Sequence, residues 1–336
     1  MRSVLLWLLW TLIDACSSHS TIDRNLVSAH RQQSSFCSSP NCTNTTMSRK
    51  IIQSLLSHEQ NEGVGARVRR SIGRPQLRNL DPFLMLDEFK VSKPAGFPDH
   101  PHRGFETVTY VLNGVFSHED FCGHSGTLRP GDLQWMTAGR GIVHAEMPAS
   151  DNEPGHGLQL WINLPKEYKM SNPTYQELKK KEIPTASKDG VHVAVIAGEA
   201  LGKKAKVRTR TPTMLFDFRL DKGAKFSQPV TEGWNGFVYV LSGNAYFGPA
   251  SAQTKGEAHY TLVLGEGNSL EFENKESESC HFVLIAGRPI KEPVAHYGPF
   301  VMNTDEELQQ AISDFRSAKN GFENAKNWRS KIGNSS

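Results

Sequence analysis

Residues 98–114 read Pro98-Asp99-His100-Pro101-His102-Arg103-Gly104-Phe105-Glu106-Thr107-Val108-Thr109-Tyr110-Val111-Leu112-Asn113-Gly114. The second half of this stretch is β-branched and aromatic and ends on Asn-Gly, so it reads as a strand running into a hairpin-type turn. In the first half, two histidines flank a proline. Pro101 fixes its own φ and biases His100 toward extended backbone. On an extended chain, residues i and i+2 point to one side, so His100 and His102 aim at one point. His144-Ala145-Glu146 repeats that spacing further along. Three imidazoles and one carboxylate converging from two strands make a site for a divalent transition metal.

The rest of the chain supplies strands to carry such a site. Leu158, Leu160, Ile162 and Leu164 alternate with Gln159, Trp161 and Asn163, and Met214, Phe216, Phe218 and Leu220 alternate with Leu215, Asp217 and Arg219. Both runs have the period of half-buried strands. Weak internal repetition is present. Tyr110-Val-Leu-Asn-Gly114 returns as Tyr239-Val-Leu-Ser-Gly243, and Arg129-Pro-Gly-Asp132 is matched with Gly265-Glu-Gly-Asn268. Two copies of one antiparallel jelly-roll barrel follow from this. Counted from the repeat, the second-copy positions for His100 and His102 fall near Pro229 and Thr231. Those for His144 and Glu146 fall near Cys280, His281 and Phe282. At most one ligand survives there, so the second copy is expected to be metal-free. At the C-terminus, Thr304-Asp-Glu-Glu307 reads as a helix start, Leu308, Ala311, Ile312 and Phe315 as its apolar stripe, and Gly321 as its stop. The fold class is all-β, two tandem barrels with a C-terminal helix that packs on a barrel.

Composition bounds the function. Apolar residues are 38% of 336, charged residues 22%, and the formal net charge is +3. Bulk charge therefore gives no argument for direct nucleic-acid binding. No run spans a membrane, and a monomer is expected. Cys122 and Cys280 are the two cysteines of the body, with no CxxC pair, which suits reduced thiols. The start differs. A basic Met1-Arg2-Ser3, an apolar run from Val4 to Ile13, Cys16, Cys37 and Cys42, and sequons at Asn41 and Asn44 resemble a secretory signal followed by an extracellular stretch. The other reading makes residues 1–46 an added segment, its polar stretch a disordered linker, and Met47 the functional start.

The stretch Pro98–Tyr110, together with Gly131-Asp-Leu-Gln-Trp-Met-Thr-Ala-Gly-Arg-Gly141 and the His144-Ala-Glu-Met-Pro148 that follows, resembles the signature of the pirin family of bicupins. The likeness runs from Ser48 to Gly333. It implies a first cupin over 47–185 and a second over 186–333 that ends in the helix. It implies one Fe(II)/Fe(III) ion in the first, held by His100, His102, His144 and Glu146. The general cupin motif places a carboxylate at Glu106 instead. The resemblance favours Glu146 and leaves Glu106 behind it.

Two functions follow from that likeness. One is a redox-sensing transcriptional co-regulator of nucleus and cytoplasm that contacts transcription factors. In this reading Arg67, Arg69, Arg70 and Arg74 form either part of the contact surface or a solvated strand edge. The other is a quercetin 2,3-dioxygenase that takes a flavonol and dioxygen, with Glu146 or Glu106 accepting the hydroxyl proton. Phe97, Phe105, Trp135 and Met136 are then candidate pocket walls. A cupin whose metal only stabilises the barrel is a third reading. Secretion is the alternative location if the leader is genuine.

Overall fold

The protein is described by a computed structural model covering residues 46–62 and 65–333. The apolar leader, both sequons and Cys16, Cys37 and Cys42 lie outside those residues. In chain order the first half supplies β1 (Ile51–Leu56), β2 (Glu59–Glu62), β3 (Ala66–Ile72), β4 (Phe83–Val91), β5 (Phe97–His102) and β6 (Phe105–Asn113). Then come β7 (Phe116–Asp120), β8 (Ser125–Leu128), β9 (Leu133–Thr137), β10 (Ile142–Pro148), β11 (Gly155–Asn163) and β12 (Thr174–Leu178).

A seven-stranded sheet, in the order β12-β9-β6-β11-β4-β3-β2, faces a four-stranded sheet in the order β5-β10-β7-β8. The second half repeats the plan. Thr213–Leu220, Cys280–Gly287, Asn235–Ser242 and Tyr260–Leu264 take the places of β4, β11, β6 and β9, and Lys225–Pro229 and Ser269–Glu273 take those of β5 and β10. Asn113-Gly114 does not close a hairpin, because β6 and β7 lie in different sheets. Gly114, at φ +73°, carries the chain across. A Cβ there would lie 2.6 Å from the Pro154 carbonyl oxygen.

The period-two strands are buried on both faces rather than one. The outer faces of the two large sheets pack on each other. Val108, Tyr110, Leu158 and Leu160 share one core with Phe237, Tyr239, Val283 and Ile285. The opposite faces look into the barrels. Burying one continuous apolar layer between two sheets is the largest favourable contribution either barrel gains from its partner.

The ends of the chain are exchanged. β1 is not part of the first barrel. It pairs antiparallel with Tyr260–Leu264 on the edge of the second large sheet, where Ile51 opposes Leu264. The helix Asp305–Ser317 packs the other way, onto the first barrel. Leu308, Ala311, Phe300 and Phe322 share a core with Met136, Ile142 and Val143. Boundaries at 47 and 186 therefore do not separate the two packing units. Thr304 caps the helix by accepting from the Glu307 amide at 3.2 Å. The stop is Ala318 at φ +52° rather than Gly321.

The structure also resets the internal repeat. In the first barrel the Gly131 amide donates to the Val111 carbonyl, and in the second the His259 amide donates to that of Val240. The Arg129–Asp132 turn thus matches Glu257–Tyr260. The Gly265–Asn268 loop precedes Ser269–Glu273 as Gly139-Arg140-Gly141 precedes β10. His144 stands opposite His100 on the paired strands, and Leu270 stands opposite Gln228 in the same way. Pro229, Thr231 and Cys280–Phe282 are therefore not the counterparts of the ligand positions. The second barrel is filled by aromatic rings, with Phe272 5.0 Å from Phe218 and 5.2 Å from Phe282 between centroids.

Candidate metal centre

β5 and β10 run antiparallel, with His100 opposite His144 and His102 opposite Ile142. The alternation of β5 turns His100 and His102 to one side, and β10 brings His144 to the same place. Ring centroids are 4.7 Å apart for His100–His102, 4.3 Å for His100–His144 and 5.0 Å for His102–His144. Among the described residues, one ligand atom from each of these three lies within 4.8 Å of the others. All three are buried.

The donor set suits a cation. The His100 Nδ1–H donates to the Pro98 carbonyl at 2.8 Å, which puts the lone pair on Nε2. His102 Nδ1 and both nitrogens of His144 are buried with no hydrogen-bond partner. Burial pushes all three pKa values below the ordinary histidine range, with His102 and His144 well below it. Neutral imidazoles with unused lone pairs are what a metal needs. Leaving them unused in a core is costly.

Glu146 lies on the same strand past a bulge, opposite Phe97 and His118. Its Oε1 accepts from the Thr109 hydroxyl at 2.8 Å and its Oε2 from the Gln159 amide at 2.9 Å. It borders the same cavity as His100 and His102, outside the tight three-histidine group. Glu106 does not reach this place. On β6, Thr109 faces Glu146, so Glu106 shares the opposite face with Val108 and Tyr110, toward the second barrel. Its Oε1 accepts from Thr137 at 2.7 Å, and burial pushes its pKa up to about 7.

His100 and His102 border a cavity of about 180 Å³. Phe89, Phe97, Leu84, Met85 and Trp161 line it, and Glu62, Arg70, Asp87, Gln159 and His296 join Glu146 among its polar members. Trp161 lies 5.3 Å from His102 and 4.5 Å from Phe105 between ring centroids. Of the expected walls, Phe97 lines the cavity and Phe105 backs His102. Trp135 belongs to the layer between the barrels and Met136 to the core under the helix.

The basic cluster of β3 and the turn after it is mostly tied down. Arg70 grips Asp87 with two hydrogen bonds, at 2.9 and 2.7 Å, and Glu62 with one. Arg67 pairs with Glu59, Arg69 bonds the Ser57 carbonyl, and Arg74 that of Leu56. Sequence reasoning missed Thr109, Gln159, Trp161 and the Arg70–Asp87 pair. Their one signal was that Gln159 and Trp161 occupy the less apolar face of β11.

Arg103, next to His102, is buried. It donates to the Arg140 and Asn320 carbonyls at 2.6 Å each and to Asp314 at 2.8 Å. The strand that carries two of the histidines is thereby joined to the C-terminal helix.

Comparison with known proteins agrees with this architecture. The family model "Pirin" matches residues 65–162, and "Pirin C-terminal cupin domain" matches 215–321. Human pirin is 67% identical over 288 residues, covering 85% of this chain and 99% of that protein. A pirin-like protein of Solanum lycopersicum is 60% identical, covering 84% of this chain and 97% of that protein. The crystal structure of quercetin 2,3-dioxygenase from Acinetobacter baumannii superposes with a TM-score of 0.75 at 34% identity, covering 82% of this chain and 99% of that one. Two fused cupins, three clustered histidines in the first and a match to both family domains lead to one conclusion: this chain belongs to the pirin family.

Proposed function

We propose that the first barrel holds one iron ion on His100, His102 and His144, with Glu146 as the fourth ligand, and that the protein is a dioxygenase of flavonol-type substrates. The observation that carries this reading is the group of neutral, buried imidazoles at a mostly apolar cavity. The solved structure of a quercetin 2,3-dioxygenase with the same fold supports it. Bound iron supplies a Lewis acid for an enolic oxygen and the redox partner for dioxygen.

The chain's own part is binding, orientation and proton handling. Phe97, Phe89, Met85 and Trp161 exclude water and hold an aromatic ring. A volume of about 180 Å³ is below the usual range of roughly 300–1,000 Å³ for small-molecule pockets. The cavity therefore takes the reacting ring, and the rest of the substrate lies outside it. A Glu146 oxygen takes the hydroxyl proton, while Thr109 and Gln159 keep the carboxylate aimed.

A second reading is a redox-sensing transcriptional co-regulator of nucleus and cytoplasm, with transcription factors as partners. Arg103 favours it. Iron held there would, on oxidation, bring one added charge beside His102, and Arg103 connects that strand to a surface helix.

An aerobic assay with quercetin on iron-loaded protein separates the two. Turnover that disappears in His102→Ala and Glu146→Gln, and survives in Glu106→Gln, supports the enzyme. No turnover, with partner binding that changes on oxidation, supports the regulator. Intact-mass analysis of the native protein addresses location, because glycans on Asn41 or Asn44 would mean secretion.

A further inference from the structure

The layer between the barrels contains a pair of polar constellations related by the internal repeat. The Tyr110 hydroxyl, from the first barrel, donates to Asp217 Oδ2 of the second at 2.8 Å. The Tyr239 hydroxyl, from the second, donates to Glu88 Oε2 of the first at 2.6 Å. Each carboxylate also meets a histidine of its own barrel, His281 Nε2 at 2.5 Å from Asp217 and His156 Nε2 at 2.8 Å from Glu88. The two histidines are equivalent by register. His156 opposes Lys90 and Asn113, and His281 opposes Arg219 and Ser242.

The two halves differ at one point. Glu88 has a third partner, His259 Nδ1 at 2.9 Å. His259 has φ +67° and its equivalent in the other turn is Gly131 at φ +87°, which has no side chain. Asp217 therefore has two partners where Glu88 has three. Beside Asp217 lies an open cleft of about 340 Å³, bordered by Tyr110, Gly131, Lys180, Ile183, Asp217 and Arg219. The stem of Lys180 passes over Gly131. Among the described residues neither the Lys180 ammonium nor the Arg219 guanidinium has an acidic partner.

We propose that this cleft is a second small-molecule site, separate from the metal cavity, for an amphoteric compound. A nitrogen donor, imidazole or amine, would take the place at Asp217 that His259 fills at Glu88. A carboxylate or phosphate at the other end would meet Lys180 and Arg219, with Ile183 against the body of the molecule. Alternation on β6 keeps the two sites apart, because Thr109 faces the metal cavity and Tyr110 faces the cleft.

Calorimetric titration of the full chain with imidazole-4-acetic acid tests this. One saturable site is expected. Arg219→Ala and Lys180→Ala change exposed residues, and each weakens binding about three- to fivefold, the size of a partly exposed ion pair. Asp217→Asn abolishes it. His259→Gly opens the twin position at Glu88 and takes up imidazole as an additional site. The proposal is overturned if the wild-type chain shows no saturable uptake at concentrations where His259→Gly takes up imidazole. Unchanged affinity in both Arg219→Ala and Lys180→Ala overturns it too.

Discussion

Replacing Glu106 by glutamine gives the sharpest check on which carboxylate belongs to the metal cavity. Glu106 is 1% exposed. Thr137 serves one of its oxygens, and the other is buried with no hydrogen-bond partner. Burial raises its pKa from 4.5 to about 7, with the Thr137 hydroxyl opposing the rise. The folded pKa lies above the unfolded one, so this group's stabilising contribution is full below about pH 4.5 and is lost as pH rises through about 7. A separation of roughly 2.5 between the two values, at about 1.36 kcal/mol each, gives about 3 kcal/mol in all, of which roughly 2–3 kcal/mol is lost between pH 5 and 8.5. Glutamine does not titrate. Urea midpoints for wild type and Glu106→Gln at pH 5, 6, 7 and 8.5 should therefore diverge, with the variant gaining roughly 2–3 kcal/mol relative to wild type across that range. A constant offset from the amide beside Trp135 cancels in this difference. Parallel curves would refute the buried, uncompensated placement of Glu106. Loss of bound metal in the same variant would refute its position on the far face of β6.

Three further outcomes follow from the geometry. Asp314→Ala leaves the Arg103 guanidinium buried without its carboxylate and should cost about 3–5 kcal/mol, read by urea unfolding and by earlier proteolysis of the C-terminal helix. Gly104→Ala places a Cβ 1.9 Å from the Val301 carbonyl oxygen at φ +89°, so it should displace the segment around Val301 and lower the melting temperature by several degrees, roughly 2–4 °C per kcal/mol. The three clustered histidines, His100, His102 and His144, are held neutral, with folded pKa values below the ordinary 6.5. Metal-free protein should therefore hold its stability above about pH 6.5 and lose it as pH falls below. His144→Ala should show a shallower decline across pH 6.5 to 4.5, and an unchanged slope would count against burial of that imidazole.

How far the chain could be read depended on distance along it. β6, the histidine pair of β5 and the His144–Glu146 pair all follow from period-two alternation and a proline, and they were legible at once. The choice between Glu146 and Glu106 was not. Alternation shows that Thr109 and Glu106 point opposite ways. Both faces of β6 are buried, so the pattern does not say which face is the interior of the barrel. The repeat was visible in Tyr-Val-Leu but was mis-registered by its glycine-rich turns, because turns of similar chemistry recur at different places in each barrel. Gln159 and Trp161 looked like the polar side of a surface strand for the same reason that Arg70 looked like part of a basic patch. Their partners Glu146, His102 and Asp87 sit on other strands, and no spacing within one strand shows which strands are brought together.

The amino-acid order alone determined the strand content, the doubled barrel and the residues able to hold a metal, since each of these rests on spacing within a few residues. Tertiary structure decided that β1 closes the second barrel, that the last helix closes the first, and that one carboxylate is turned toward the histidines while its rival is buried between sheets. Those choices are made by long-range strand pairing and by which apolar face meets which, and nothing local in the chain encodes a partner some two hundred residues away.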